Sequence, residues 1–90
     1  AGQRLQAAAV GIGPIGTQVV AIVLAPETAK GHRARMKLAS QELAQRVRES
    51  VPEVAAVLWR DRMPVDIRHG AKVDRSKLAA EATRVLAGRK

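Results

Sequence analysis

Two apolar, β-branched runs, at residues 7–12 and 18–24, flank the cluster Gly13-Pro14-Ile15-Gly16, and no other feature constrains the fold of this chain as tightly. Runs of this kind favour extended backbone, and Gly and Pro between them favour a reversal, so the pair reads as a β-hairpin. A third apolar run, residues 54–60, places Val54, Ala56 and Leu58 on one alternating set and Ala55, Val57 and Trp59 on the other. Apolar side chains on both sets predict a strand with both faces covered. Between these runs, Met36, Ala39, Leu43, Val47 and Val51 recur at helical spacing, while Arg35, Gln41, Gln45, Arg48 and Glu49 occupy the opposite side. That pattern predicts an amphipathic helix that stops before Pro52. A second helix is expected over 75–87, with Leu78, Ala82, Val85 and Leu86 inward, Asp74 as N-cap and Gly88 as C-terminal cap. The order strand, strand, helix, strand, turn, helix implies an α+β fold: a small three-stranded sheet with two main flanking helices. Such a sheet covers one face well and leaves the other to dock on something larger.

Size and composition narrow the possibilities further. Ninety residues make one domain at most, and a chain of that length buries only about 60% of its unfolded surface. Trp59 is the single aromatic residue, so the core must be built from Val, Leu, Ile, Ala and Met. The absence of cysteine removes disulfides and thiol chemistry and is compatible with a cytoplasmic location. The apolar run at 19–25 is far too short to span a membrane, and the N-terminus lacks the character of a signal peptide, so a soluble chain is expected. The formal net charge of +8 attracts polyanions in general, among them ATP, the phosphates of coenzyme A, nucleic acid and acidic lipid. Charge alone does not choose among them.

Several motifs have bland readings that fit better than their functional ones. Gly11-Ile12-Gly13-Pro14-Ile15-Gly16 matches the GxGxxG dinucleotide pattern in letters. That fingerprint needs a helix N-terminus directly after the glycines and an acidic residue about 20 positions on. Here Thr17-Gln18-Val19-Val20-Ala21 follows and favours a strand, so a hairpin turn is expected. His32 and His69 lie far apart without companion ligands, and no metal site is expected from them. No Ser-His-Asp or paired-carboxylate arrangement can be assembled.

The segment at residues 64–78 is different. Pro64 ends what precedes it, Gly70 permits a backbone that other residues resist, and Asp74 can cap the following helix, so Lys72 is held on a turn just ahead of a helix start. With its flanks, the segment resembles the C-terminal lid of the adenylate-forming superfamily, which includes acyl-CoA synthetases, peptide-synthetase adenylation domains and luciferases. Pro64-Val65-Asp66 followed by Arg68-His69-Gly70-Ala71-Lys72-Val73 is most similar to the olefin-biosynthesis β-lactone synthetases and their fatty-acid ligase-like relatives, whose tail reads close to Pro-Val-Asp-x-Arg-His-Asn-Ala-Lys-Ile. Gly70 stands where that subfamily has Asn. Both residues take a left-handed turn readily, although the exchange removes an amide that could touch ligand. The two N-terminal runs look like the first two strands of the lid, so the resemblance spans most of the chain.

The resemblance implies that residues 1–90 are the mobile lid of a larger ligase, with the hinge and a large N-terminal AMP-binding domain lying before them. It implies activation of a carboxylic acid by ATP and Mg2+, both held mainly by that N-terminal domain, to give an acyl-adenylate and pyrophosphate. The implied substrate is a fatty or β-hydroxy fatty acid with closure to a β-lactone; the alternative within the class is transfer to coenzyme A. Lys72 becomes the catalytic residue, with Arg68, His69 and Gly70 as candidates for contacts to substrate, and the isolated chain is expected to be inactive. A reading from another class, a small basic nucleic-acid-binding module, rests on the clusters Arg33-Arg35-Lys37, Arg46-Arg48, Arg60-Arg62 and Arg84-Arg89-Lys90. It lacks an aromatic stacking platform and any RNA-binding signature, which makes nucleic acid the less favoured partner.

Overall fold

A computed structural model of the chain describes residues 4–14, 16–31, 33–66 and 72–88. The first two apolar runs form β1 (Leu5–Ile12) and β2 (Val19–Pro26), paired antiparallel from Leu5 opposite Pro26 to Ile12 opposite Val19. Their connection contains Gly13 and Gly16 at φ of 105° and 93°, a left-handed backbone that favours glycine, and the Thr17 N–H donates to the Pro14 carbonyl at 3.1 Å. A strand follows the glycines, as β-branched Val19 and Val20 dictate, so the GxGxxG letters form a hairpin turn.

The sheet has four strands, not the three expected from sequence. Met36–Leu38 forms a short strand, β3, where a helical first turn was expected, and it pairs antiparallel with β4 (Ala56–Arg60). The helix α1 begins only at Gln41 and runs to Ser50. The cause is local and tertiary together. Ser40 is a strong N-cap, its hydroxyl accepting the Leu43 N–H at 3.3 Å, and β4 without β3 would leave one row of main-chain groups unpaired. At the other end of α1 the Val51 N–H donates to the Val47 carbonyl at 2.8 Å, and Pro52 blocks continuation.

The strand order is β1-β2-β4-β3, with β2 and β4 parallel and the other neighbours antiparallel. Parallel strands need a crossover, which here consists of β3 and α1. Alternation along the central strands splits the core in two. Ala21, Val23 and Ala25 of β2 and Ala56 and Leu58 of β4 pack with Ala8, Val10 and Met63 against Leu78 and Ala82 of the second helix, α2 (Arg75–Leu86). On the other face, Leu24 and Val57 pack with Val54 against Ala44, joined by half-buried Ile22, Leu43, Val47 and Trp59. The two helices therefore lie on opposite faces. Coverage by α1 stops short of β1, whose Ala7, Ala9 and Gly11 are exposed. Beyond β4 a separate antiparallel pair, β5 (Val65–Asp66) and β6 (Lys72–Val73), leads into α2. Among the described residues no helix is long and apolar enough to cross a membrane.

Candidate functional site

The β5–β6 pair is mounted on the body of the fold by main-chain bonds at its base. Met63, fully buried, donates its N–H to the Ala29 carbonyl at 3.0 Å and accepts the Gly31 N–H at 2.9 Å. Pro64 follows, also buried, and its carbonyl accepts the Asp74 N–H at 2.9 Å. Entry to β5 and exit from β6 are thereby tied together. Above that tie, Val65 lies opposite Val73 and Asp66 opposite Lys72. Val73 turns inward against the α2-side core, and its neighbour on the strand, Lys72, is exposed.

The helix that follows is capped as the sequence predicts. The Asp74 carboxylate accepts the Lys77 N–H at 3.1 Å, and at the far end Gly88, with φ of 78°, donates its N–H to the Val85 carbonyl. Lys72 thus stands two residues before a fixed helix start, on a strand whose root is fixed too. Among the described residues it has no ion-pair partner, whereas nearby Lys77 pairs with Glu81 at 3.3 Å. Residues 67–71, which join β5 to β6 and include the candidates Arg68, His69 and Gly70, lie outside the described residues, as does His32.

Arg60 is the residue that sequence reasoning misplaced. Grouped with Arg62 as basic surface, it is fully buried, and only Arg62 is exposed. Its Nε donates to Glu81 Oε1 at 2.8 Å and its Nη2 to Oε2 at 3.4 Å, while Nη1 donates to the carbonyls of Gly31, at 2.8 Å, and Arg62. A planar fork that satisfies a carboxylate and two carbonyls is a use to which lysine is poorly suited. Two signals in the sequence pointed to it. Arg60 continues the inward alternation of Ala56 and Leu58, and Glu81 falls three residues after Leu78 on the buried stripe of α2.

The described members of the remaining basic clusters are solvated, while Arg89 and Lys90 lie outside the described residues. Arg33, Arg35 and Lys37 are exposed, Arg46 makes an exposed pair with Glu42 at 3.6 Å, and Arg48 and Arg84 face solvent. Trp59 is half-buried on the α1 side and donates its indole N–H to Asp61 at 2.9 Å. A cavity of about 590 Å³ opens between α1 and the β3–β4 edge, lined by Leu38, Ala44, Gln45, Arg48, Val57 and Leu86 among others, away from Lys72. Among the described residues no three His, Cys, Asp or Glu side chains gather to hold a metal ion. No protein-family model, curated protein or solved structure matches this chain.

Proposed function

We propose that this chain is the C-terminal lid of an ATP-dependent acid-activating enzyme of the adenylate-forming superfamily, closest to the β-lactone synthetase and fatty-acid ligase-like branch. One observation carries the reading: Lys72, the lysine to which the sequence resemblance points, is an exposed cation on a short hairpin whose base is bonded to the body of the fold. The Pro64-Val65-Asp66 and Arg68-His69-Gly70-Ala71-Lys72-Val73 segments supply the resemblance itself.

The chemistry suits a lysine in that position. Acyl adenylation brings a substrate carboxylate oxygen onto the α-phosphorus of ATP. A new O–P bond forms, the bond from the α-phosphorus to the bridging oxygen breaks, and pyrophosphate leaves with that electron pair. Two anions approach while negative charge gathers on the oxygens around phosphorus. The Lys72 ammonium, brought in by lid closure, bridges the carboxylate and the α-phosphate and acts as a charge, not as an acid or base. Because it arrives only on closure, it favours the transition state over the ground state. By the resemblance, Mg2+ and the nucleotide are held mainly by the N-terminal domain of the longer polypeptide, and this chain contributes the cation. The acid is a fatty or β-hydroxy fatty acid, with ring closure to a β-lactone or transfer to coenzyme A as the second step.

The test is ATP-dependent pyrophosphate release by the longer polypeptide on a panel of fatty and β-hydroxy fatty acids, with Lys72→Ala alongside. Loss of one positioned transition-state charge should lower kcat by about 10²–10³ with ATP binding retained. Near-equal rates would remove Lys72 from the chemistry.

A further inference from the structure

From residue 5 to residue 26 the chain carries no charged side chain, although 16 basic and 8 acidic residues lie elsewhere. Both β1 and β2 fall inside that stretch. β1 is an edge strand, hydrogen-bonded within the sheet only to β2. The opposite edge, β3, is three residues long with Lys37 at its centre. Short, charged edges resist further pairing and long apolar ones invite it. β1 is eight residues long and has neither Pro nor charge.

The direction of its free main-chain groups follows from the register. The Glu27 N–H donates to the Arg4 carbonyl, so residue 4 faces β2, and by alternation so do residues 6, 8, 10 and 12. The Val20 carbonyl, opposite Gly11, accepts from Ala55 on the far side of β2 and confirms this phase. Leu5, Ala7, Ala9 and Gly11 therefore each turn one N–H and one C=O outward, and among the described residues nothing pairs with them.

We propose that this edge is a self-association site, at which β1 of one copy pairs antiparallel with β1 of a second copy about a two-fold axis, joining the two sheets into one. One symmetric register satisfies all the outward groups: Leu5 opposite Gly11 of the second copy and Ala7 opposite Ala9, so that Ala8 faces its own counterpart at the axis. On the open face of that ladder Ala7 and Ala9 carry only methyl groups, and Gly11, with the Gln18 amide lying over it, carries none, so the strands can meet. The occupant is a second copy because the edge is self-complementary in its hydrogen bonds and has no cation or anion to hold a charged segment. Two chains of charge +8 repel elsewhere on their surfaces, and the charge-free hairpin is where they approach at least electrostatic cost. Arg4 falls beyond the outward-facing ladder, opposite Ile12 of the second copy, so no like charges are opposed. The proposal is independent of any role for Lys72.

Sedimentation equilibrium of the 90-residue chain, from about 5 to 500 μM, should give a mass rising toward twice the 9.6 kDa of one chain. Two variants bear on the cause. Ala7→Lys/Ala9→Lys puts charge on exposed edge positions, and Ala9→Pro removes an outward N–H without touching the ladder to β2. Each should keep the far-UV circular dichroism of the parent and raise the dimer dissociation constant about tenfold or more. If the proline variant unfolds, the lysine pair decides. Because the chain has no cysteine, Ala7→Cys and Ala9→Cys chains can be mixed and oxidised, and the mixed disulfide should exceed both self-disulfides. A monomer at every concentration, a dimer indifferent to the lysine pair, or a merely statistical mixture of disulfides would each overturn the proposal.

Discussion

Replacing Glu81 with alanine removes one carboxylate from a guanidinium that has no contact with water. The carboxylate receives the Arg60 Nε at 2.8 Å and the more distant Nη2 at 3.4 Å. A charge-assisted hydrogen bond contributes about 1.5–3 kcal/mol, and the longer contact less. A buried ion that loses part of its compensation incurs a desolvation penalty, so that breaking one side of a buried pair costs about 3–5 kcal/mol in general. Arg60 keeps its bonds to the Gly31 and Arg62 carbonyls, which places Glu81→Ala at about 3 kcal/mol, the lower end of that range. Against a total stability of roughly 5–15 kcal/mol for a small domain, that is a large fraction.

Arg60→Met should cost less, even though it deletes the side chain with more bonds. The anion it leaves behind is one-fifth exposed and retains Lys77 at 3.3 Å. Two carbonyls lose a donor, at about 1 kcal/mol each, and the packing of Met against the core offsets part of that, for a net of about 1–2 kcal/mol. The assay is urea unfolding followed by the fluorescence of Trp59, the only tryptophan and half-buried against the α1 side of the sheet. With a slope near 1 kcal/mol/M, the midpoint should fall by about 3 M for Glu81→Ala and by about 1–2 M for Arg60→Met. A loss under about 1 kcal/mol for Glu81→Ala, or the reverse order of the two variants, would refute the view that the compensation Glu81 gives a buried cation governs the cost.

Three further substitutions separate packing from capping. Leu78→Ala empties a fully buried position shared by the sheet and α2, and thermal unfolding should report a loss of about 2–5 kcal/mol. Asp74→Ala removes the side-chain acceptor for the Lys77 N–H and should cost about 1 kcal/mol in the same melt, while Asp74→Asn, which keeps an oxygen there, should be near neutral. Gly88→Ala has open space around the added methyl, so any loss, expected at about 1 kcal/mol, comes from forcing a side chain into a φ of 78°.

What the sequence disclosed was chemistry that acts over a few residues. Asp74 and Gly88 mark the ends of α2 because a carboxylate at an N-terminus and a left-handed glycine at a C-terminus act within one turn. The hairpin was legible because Val19 and Val20, separated by two residues from the last glycine of the turn, are poor residues with which to begin a helix. β3 was not, since Met36 and Ala39 fit the helical period by coincidence. In the fold they pack on opposite faces of the sheet, Met36 toward α2 and Ala39 toward α1. Only the need of β4 for a second neighbour reveals a strand there, and that need arises after the chain has folded. The candidate site divides the same way: the exposure of Lys72 follows from its alternation with Val73, but the mounting of its hairpin rests on bonds to residues 29–31, which no local pattern announces.

That mounting bears on how a lysine here would be delivered. Arg60 bonds to Gly31, Gly31 to Met63, Pro64 follows Met63 and bonds to Asp74, Asp74 caps α2, and Glu81 of α2 returns to Arg60. The bonds form a closed ring under the β5–β6 pair, with the buried ion pair as its fastening. A base closed in this way resists local opening, because loosening any one member strands a buried donor, acceptor or charge. On the lid reading, Lys72 then reaches its target through movement of the whole body of the fold, with little contribution from the flexing of its own hairpin root. The consequence is specific. Arg60→Met, folded but without the fastening, should weaken the Lys72-dependent step in the longer polypeptide while leaving ATP binding intact. An unchanged rate with a lowered unfolding midpoint would instead confine the ring to stability alone.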